Sequence, residues 1–361
     1  MRRSVTVAIV VGLACLAPLL TSCNWITWVV GSSLFEDKNL EVAVASTLGV
    51  KPWRLTPERL LELRELDARE HGIESLGGIE NCRYLEELDL DHNGLSELTP
   101  LAALTELTNL CLSNNQISDV TPLATLTELR ELYLFYNKIS DITPLAGLTR
   151  LTNLWLQGNQ ISDITPLAGL TRLTDLHLRS NQVSDLTPLT GLTQLEGLEL
   201  SYNEIKDITS LVGLAQVTVV DLWHNQISDL TPLAGLTQLE GLNLGSNQIS
   251  DLAPLAELAQ LTQLNLRFNQ ISDLRPVARL TQLTHLYLDN NQISDLTPLA
   301  GLAQLTHLYL VSNLIVSITP LAGLTLLEKL RIMDNPLDLT VGSAAMHVIR
   351  TLEGRGVEVS Y

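Results

Sequence analysis

The sequence predicts an α/β solenoid: a curved stack of short parallel strands backed by tight 3₁₀ turns and closed by a cap at each end. Three observations carry this. Asn recurs at 93, 115, 137 and onward to 335 with an unbroken spacing of 22, and a fixed period of that size sets the architecture before any local feature does. The apolar content, 45% of 361 residues, is dominated by Leu with only 4% aromatics, as a small repeated unit requires. Within each period the pattern Leu151-x-x-Leu154-x-Leu156-x-x-Asn159-x-Ile161-x-x-Ile164-x-Pro166-Leu167-x-x-Leu170 leaves few scaffold positions free.

The chain opens with an address. Arg2 and Arg3 precede an apolar run, Val5–Leu20, and then Leu20-Thr21-Ser22-Cys23. A basic start, a short apolar stretch and small residues before a cleavage point read as a secretory signal, here 1–22. The last four residues resemble a bacterial lipobox, which makes Cys23 the expected lipidation site and mature N-terminus. An ordinary signal peptide with an incidental cysteine is the alternative. Residues 23–34 are the expected tether, with Trp25 and Trp28 placed to sit at a bilayer surface or to join the cap that follows.

Residues 35–62 read as a helical N-terminal cap. Phe35, Asp37, Leu40, Val44 and Leu48 have helical spacing, and a second helix is expected over about 57–63. The repeats occupy 63–335, about 13 units of 22 residues. In each, Leu154-x-Leu156 alternates with period two, as a half-buried strand does. Asn159 ends the strand and its amide is placed to satisfy backbone groups buried inside the stack. Thr165-Pro166 reads as N-cap and N1 of a short 3₁₀ turn. His71 fills the Asn position of a degenerate first copy, with Ala68 in a Leu position. A lone unit buries too little to fold, so neighbours must supply the difference. Past Asn335 the pattern stops; 336–361 is the C-terminal cap, a helix over 342–352 and a closing strand over 357–361.

The iterated L-x-x-L-x-L-x-x-N-x-I is the leucine-rich-repeat signature. Together with units such as Asn225-Gln226-Ile227-Ser228-Asp229-Leu230-Thr231-Pro232-Leu233-Ala234-Gly235-Leu236 and the Phe35-x-Asp37-x-x-Leu40 of the cap, it resembles the internalin family. That resemblance implies a concave face that recognises protein partners. Family members commonly continue into an immunoglobulin-like domain and a wall anchor. The sequence ends at Tyr361, and the lipid at Cys23 is expected to replace the wall anchor, with display on the bacterial cell envelope. The Asn after Cys23 resembles the sorting pattern for an outer membrane where the organism has one.

The variable positions lie in and just after the strand, facing the concave side. Tyr133, Phe135, Tyr136, Trp155, Tyr202, Trp223, Phe268, Tyr287 and Tyr309 occupy them and are expected to face solvent; His177 and His224 share the surface. Exposed aromatics on a rigid sheet are the hot-spot chemistry of protein or glycan recognition. The competing explanation is that β-propensity alone favours Tyr and Trp on strands. The expected function is therefore a non-catalytic recognition module, expected as a monomer, with a protein partner or a glycan; a structural scaffold of an envelope complex is the alternative.

The same face runs from acidic (Glu65, Asp67, Glu87, Asp89, Asp91, Glu131) to basic (His285, His307, Lys329, Arg331). That gradient is either a solvated surface or a device that orients a bipolar partner. His285 and His307 occupy equivalent positions and are within reach to stack or share a metal, with Asp289 no more than a candidate third ligand; two ligands do not make a zinc site, and no metal is expected. Asp119 and its equivalents through Asp295 form a column read as Asx turns, calcium bridging being the alternative. Cys82 is expected as an inert core thiol and Cys111 on the concave strand, unpaired.

A net charge of −18 argues against nucleic acid and against anionic lipid except through the anchor. No G-x-S-x-G, H-E-x-x-H, P-loop or G-x-G-x-x-G occurs, so neither an enzyme nor a cofactor is expected.

Overall fold

In a computed structural model, residues 33–361 are described. The signal segment, Cys23 and the tether tryptophans Trp25 and Trp28 lie outside the described residues. Among the described residues the strands form one parallel sheet of 14, each hydrogen-bonded to the next in chain order. Each is three residues long, and register is kept throughout: Asn153, Leu154 and Trp155 lie opposite Asp175, Leu176 and His177. The middle Leu points into the stack and its two neighbours line the concave side, as the period-two pleat requires. Leu154 and Leu156 are both fully buried, as are their equivalents along the chain.

The asparagine ladder works by reaching backward. Asn159 Oδ1 accepts from the Ile139 amide of the preceding unit at 3.0 Å, and its Nδ2 donates to Leu134 O at 3.0 Å and Leu156 O at 2.9 Å. Each amide thus joins two units through backbone groups that water cannot reach. The ladder runs from Asn93, which bonds Ile73 and Ala68, to Asn335, which bonds Ile315 and Leu310. His71 does not join it: the imidazole is exposed and turns to Arg69 O at 2.6 Å. No repeat precedes it, and Asn39 of the cap donates to Gly72 O instead.

The turns opposite the sheet are 3₁₀, such as Thr165–Gly169, and they correct one expectation. Thr165 is the first residue of its turn, not the cap; the cap is the buried Ile164, which has no side-chain acceptor. Asp163 supplies it, taking the Thr165 amide on Oδ1 at 2.8 Å. The whole column from Asp119 to Asp295 does the same two residues on, so these carboxylates are Asx turns. The hydroxyl of Thr209, with its amide, holds Asp207 below the usual carboxylate range.

Both caps match their sequence patterns with trimmed ends. The first helix, α1, spans Lys38–Thr47. Asp37 has two roles: Oδ1 caps α1 through the Asn39 amide at 2.7 Å, and Oδ2 takes the Glu74 amide of the first repeat at 2.8 Å. Gly78 passes under Leu34 with φ +106, where an added Cβ would lie 2.2 Å from the Leu34 carbonyl oxygen. The second helix, α2, is shorter than its pattern, Pro57–Leu60, capped by Thr56. At the other end α3, Ala344–Glu353, starts from Ser343 and leads to the strand Glu358–Ser360, parallel to Lys329–Arg331.

One unit is built less firmly than its neighbours. Ser210 stands where flanking turns have Pro, so φ is not pre-set. After Thr209–Leu211 the chain leaves the helical region at Val212 (ψ 122), whereas Thr190 and Ala234 continue in it at the equivalent points. Val217 and Val220 replace Leu in the core. Amide hydrogen exchange should open over 203–220 before 180–200 or 225–245; uniform protection across 180–250 would contradict this.

Candidate partner-binding face

Three rows of side chains run along the concave side and its rim. The row at the end of each strand holds Tyr133, Trp155, His177, Glu199, Asp221, Tyr287, Tyr309 and Arg331. Two residues on lies a row with Phe135, Trp223 and Arg267. The third row is the residue before each ladder Asn. Its backbone is left-handed in every unit, with φ between 54° and 58° from Glu70 to Asp334 apart from Gly158 at 71°.

The expectation that all these rings face solvent needs correction. Tyr133, Phe135, Trp155, Trp223, Tyr287 and Tyr309 are half-buried because neighbours about 4.8 Å apart lean on one another. Trp155 stacks on His177 at 4.5 Å and meets the edge of Tyr133 at 5.0 Å. Its Nε1 donates to Asp175 at 2.8 Å, and His177 Nε2 lies 3.1 Å from the other oxygen of that carboxylate. His177 therefore turns to Asp175 and not to Glu199 across the sheet. Phe135 and Tyr136 complete this first group.

A second group is Tyr202 with His224 at 5.0 Å and Arg179 over the Tyr202 ring. A third is Trp223 with Phe268 at 6.1 Å; the indole lies flat over Gly245, where a Cβ would meet it at 2.1 Å. The fourth is the stacked pair Tyr287–Tyr309 at 4.9 Å. The structure thus brings the expected residues together in groups and not as one continuous patch; on the strand-end row Glu199 and Asp221 stand in the repeats that carry Tyr202 and His224.

Tyr136, Tyr202, His224 and Phe268 are not on strands. They sit in the left-handed row, which sequence reasoning missed. A signal was present: the same row elsewhere holds Asn114, Gly158, Ser180, Ser246, Asn290 and Ser312, small or amide residues that tolerate φ > 0, beside Glu70, His92 and Asp334. Bulky rings there are uncommon and strained.

The acidic end forms a hollow of about 400 Å³ lined by Glu65, Asp67, Glu87, Asp89, Cys111 and Tyr133. Arg69 bridges Asp67 at 2.9 Å and Asp89 at 3.0 Å. Burial pushes Asp91 above the usual carboxylate range, although the Ser113 amide donates to it at 2.6 Å. Asp89, Asp91 and Cys111 offer ligand atoms within 4.8 Å of one another. Arg69 already neutralises Asp89, and burial raises the Cys111 thiol to about 12, so the group is poorly set for a cation. Cys82 and Cys111 are both free, and burial raises Cys82 likewise to about 12. His285 and His307 stack at 4.5 Å, each Nδ1 near the hydroxyl of the preceding Thr. Asp289 does not join them: it holds Arg267 and takes the Val311 amide at 2.8 Å.

The repeats match the leucine-rich-repeat family: its two-copy form over residues 105–147, 149–191, 215–257 and 259–301, and single-family forms over 171–227 and 84–103. Among solved structures, the internalin InlF of Listeria monocytogenes is 35% identical over 85% of this chain and 96% of its own, with a TM-score of 0.74. The chain belongs to the internalin-like leucine-rich-repeat family. The functional domain of Listeria monocytogenes InlJ shares the fold at 22% identity, TM-score 0.68, over 89% of this chain and 78% of its own. A leucine-rich-repeat protein of Leptospira interrogans does so at 20% identity, TM-score 0.60, over 84% and 97%. No curated protein sequence matches. An internalin-like scaffold is a protein-binding recognition module. Among the described residues no helix is long and apolar enough to cross a membrane.

Proposed function

We propose that this internalin-like chain is a recognition protein of the bacterial cell envelope. A lipid on Cys23 anchors it, and as a monomer it binds a protein partner through the rings of its concave face and rim. The observation that carries this reading is the placement of Tyr136, Tyr202 and Phe268 at left-handed positions. β-propensity explains Tyr and Trp on strands, but no backbone preference explains a bulky ring at φ near 55°, where Asn or Gly fits better. Such rings cost stability, and partner binding accounts for their retention. All three are well exposed, Tyr136 most of all at 57%. The half-buried rings beside them are pre-ordered by their stacking, so little side-chain entropy is lost on binding. Comparing partner binding by the wild type and ring-deleted variants tests the reading.

The anchor is tested separately. Wild-type protein from the native host should have a mass showing cleavage before Cys23 and added acyl chains. Cys23→Ala should accumulate as an unprocessed precursor without lipid. Cleavage elsewhere with no acyl mass would refute the anchor and leave the binding face untouched.

A further inference from the structure

The basic end of the concave face holds a second kind of feature. Arg267 lies over both Tyr287 and Tyr309, at 4.5 and 4.9 Å from the ring centres, and Arg331 lies over Tyr309 at 5.3 Å. The two guanidinium groups share one tyrosine. They differ in how they are neutralised. Arg267 pairs with Asp289, whose carboxylate is further fixed by the Val311 amide. Arg331 has no carboxylate partner among the described residues, and its Nε is buried without a hydrogen-bond acceptor. Lys329, nearby on the same strand, is taken by Glu358 at 2.9 Å.

Arg267, Asp289, Tyr309 and Arg331 border a hollow of about 330 Å³ whose other walls are Trp223, Phe268, Asn290, Val311 and Met333. That volume is near the lower end of ligand clefts, about 300–1,000 Å³, and suits one or two side chains and not a folded domain. A guanidinium with its face on an aromatic ring presents its N–H edge, the geometry that grips a carboxylate with two parallel hydrogen bonds. The charged lining groups are Arg267, Asp289 and Arg331, which leaves one uncompensated positive charge.

The geometry points to a subsite for a single carboxylate side chain of a protein partner, an Asp or Glu next to an apolar residue. Arg331 grips the carboxylate with Arg267 beside it, and the apolar neighbour packs on Trp223, Phe268 and Met333. This rests on the concave face being the binding surface. A polyanion does not fit, because Glu199 and Asp221 lie on the same row and the chain carries a net charge of −18. The opposite, acidic end of the face repels the same carboxylate, so the subsite also fixes which way round the partner lies.

The test uses a phage-displayed dodecapeptide library selected on the full chain. Selected peptides should carry Asp or Glu beside an aromatic or aliphatic residue. The best one, synthesised, should bind at least tenfold more weakly to Arg331→Met, and more weakly in 0.5 M NaCl. Its Glu→Gln (or Asp→Asn) counterpart should lose affinity for the wild type but lose little more for Arg331→Met. Arg331→Lys, which keeps the stem and charge, should still lose at least threefold; this variant guards against misfolding of the methionine one. No enrichment, neutral or basic winners, or acidic peptides indifferent to Arg331 would overturn the subsite. If that happens while removal of Tyr133 and Trp155, which lie outside this hollow, still weakens binding of the natural partner, the carboxylate subsite alone is wrong.

Discussion

Replacing Asn181 by Ala should destabilise the solenoid by about 2–5 kcal/mol, far more than any exposed substitution. The Asn181 side chain takes the Ile161 amide at 3.0 Å and donates to Leu156 O and Leu178 O, both at 3.0 Å. Deleting it leaves the buried Ile161 N–H without a partner, while Leu156 O keeps its bond from Asn159 and Leu178 O its bond from Asn203, each losing one of two donors. The unsatisfied N–H costs about 1–3 kcal/mol, and each bond lost at a carbonyl that keeps another donor about 0.5–1.5 kcal/mol. The effect is larger than a count of bonds suggests, because Asn181 joins its own unit to the one before. In a solenoid, stability is a sum of unit and interface contributions, so the change weakens an interface and not only a unit. Urea unfolding should show a lower midpoint, or a split into two transitions on either side of the mutated unit. Gln182→Ala, at the exposed next position, should stay within about 0.5 kcal/mol of wild type. A small loss at Asn181 would mean that the buried ladder contributes little.

How much of this was legible beforehand depends on what a one-dimensional pattern encodes. The strand, the ladder and the Asp column repeat at a fixed spacing, so their roles follow from period and residue chemistry. Asp37 was legible as part of the cap, but its second bond to Glu74 was not, because it needs the fold that brings residues 37 positions apart together. The displaced role of Thr165 reflects a choice between two acceptors two residues apart, the Asp163 carboxylate and the Thr165 hydroxyl, which geometry settles. The grouping of the rings was hidden for a similar reason. Side-chain direction along a concave sheet decides that Trp155 leans on His177 while Trp223 leans away over Gly245 toward Phe268. The left-handed row was readable in principle from its Asn, Ser and Gly residues. The rings standing in it masked the pattern, and those are the residues on which the functional reading turns.

Trp155→Ala combined with Trp223→Ala should weaken partner binding at least tenfold. The two indoles belong to different groups, three units and so ~15 Å apart along the stack, and their effects should be close to additive. A handful of large rings usually carries most of an interface's energy, about 2 kcal/mol or more each, so two independent losses make tenfold a lower bound. The sequence alone suggests an unchanged melting temperature; the structure predicts a modest fall. Trp155 loses its stacking on His177 and its bond to Asp175, and Trp223 uncovers Gly245. Neither indole is in the core, so unfolding should remain cooperative. The partner, identified by affinity capture from the native envelope, is then titrated calorimetrically against wild type, the double variant and Tyr84→Ala. Tyr84 is exposed and capped by Arg64, away from the concave rows, and its loss should leave affinity unchanged. If the double variant binds as wild type does, the rings are not the contact surface. If it unfolds, they belong to the core. If Tyr84→Ala binds as weakly as the double variant, the partner uses another face.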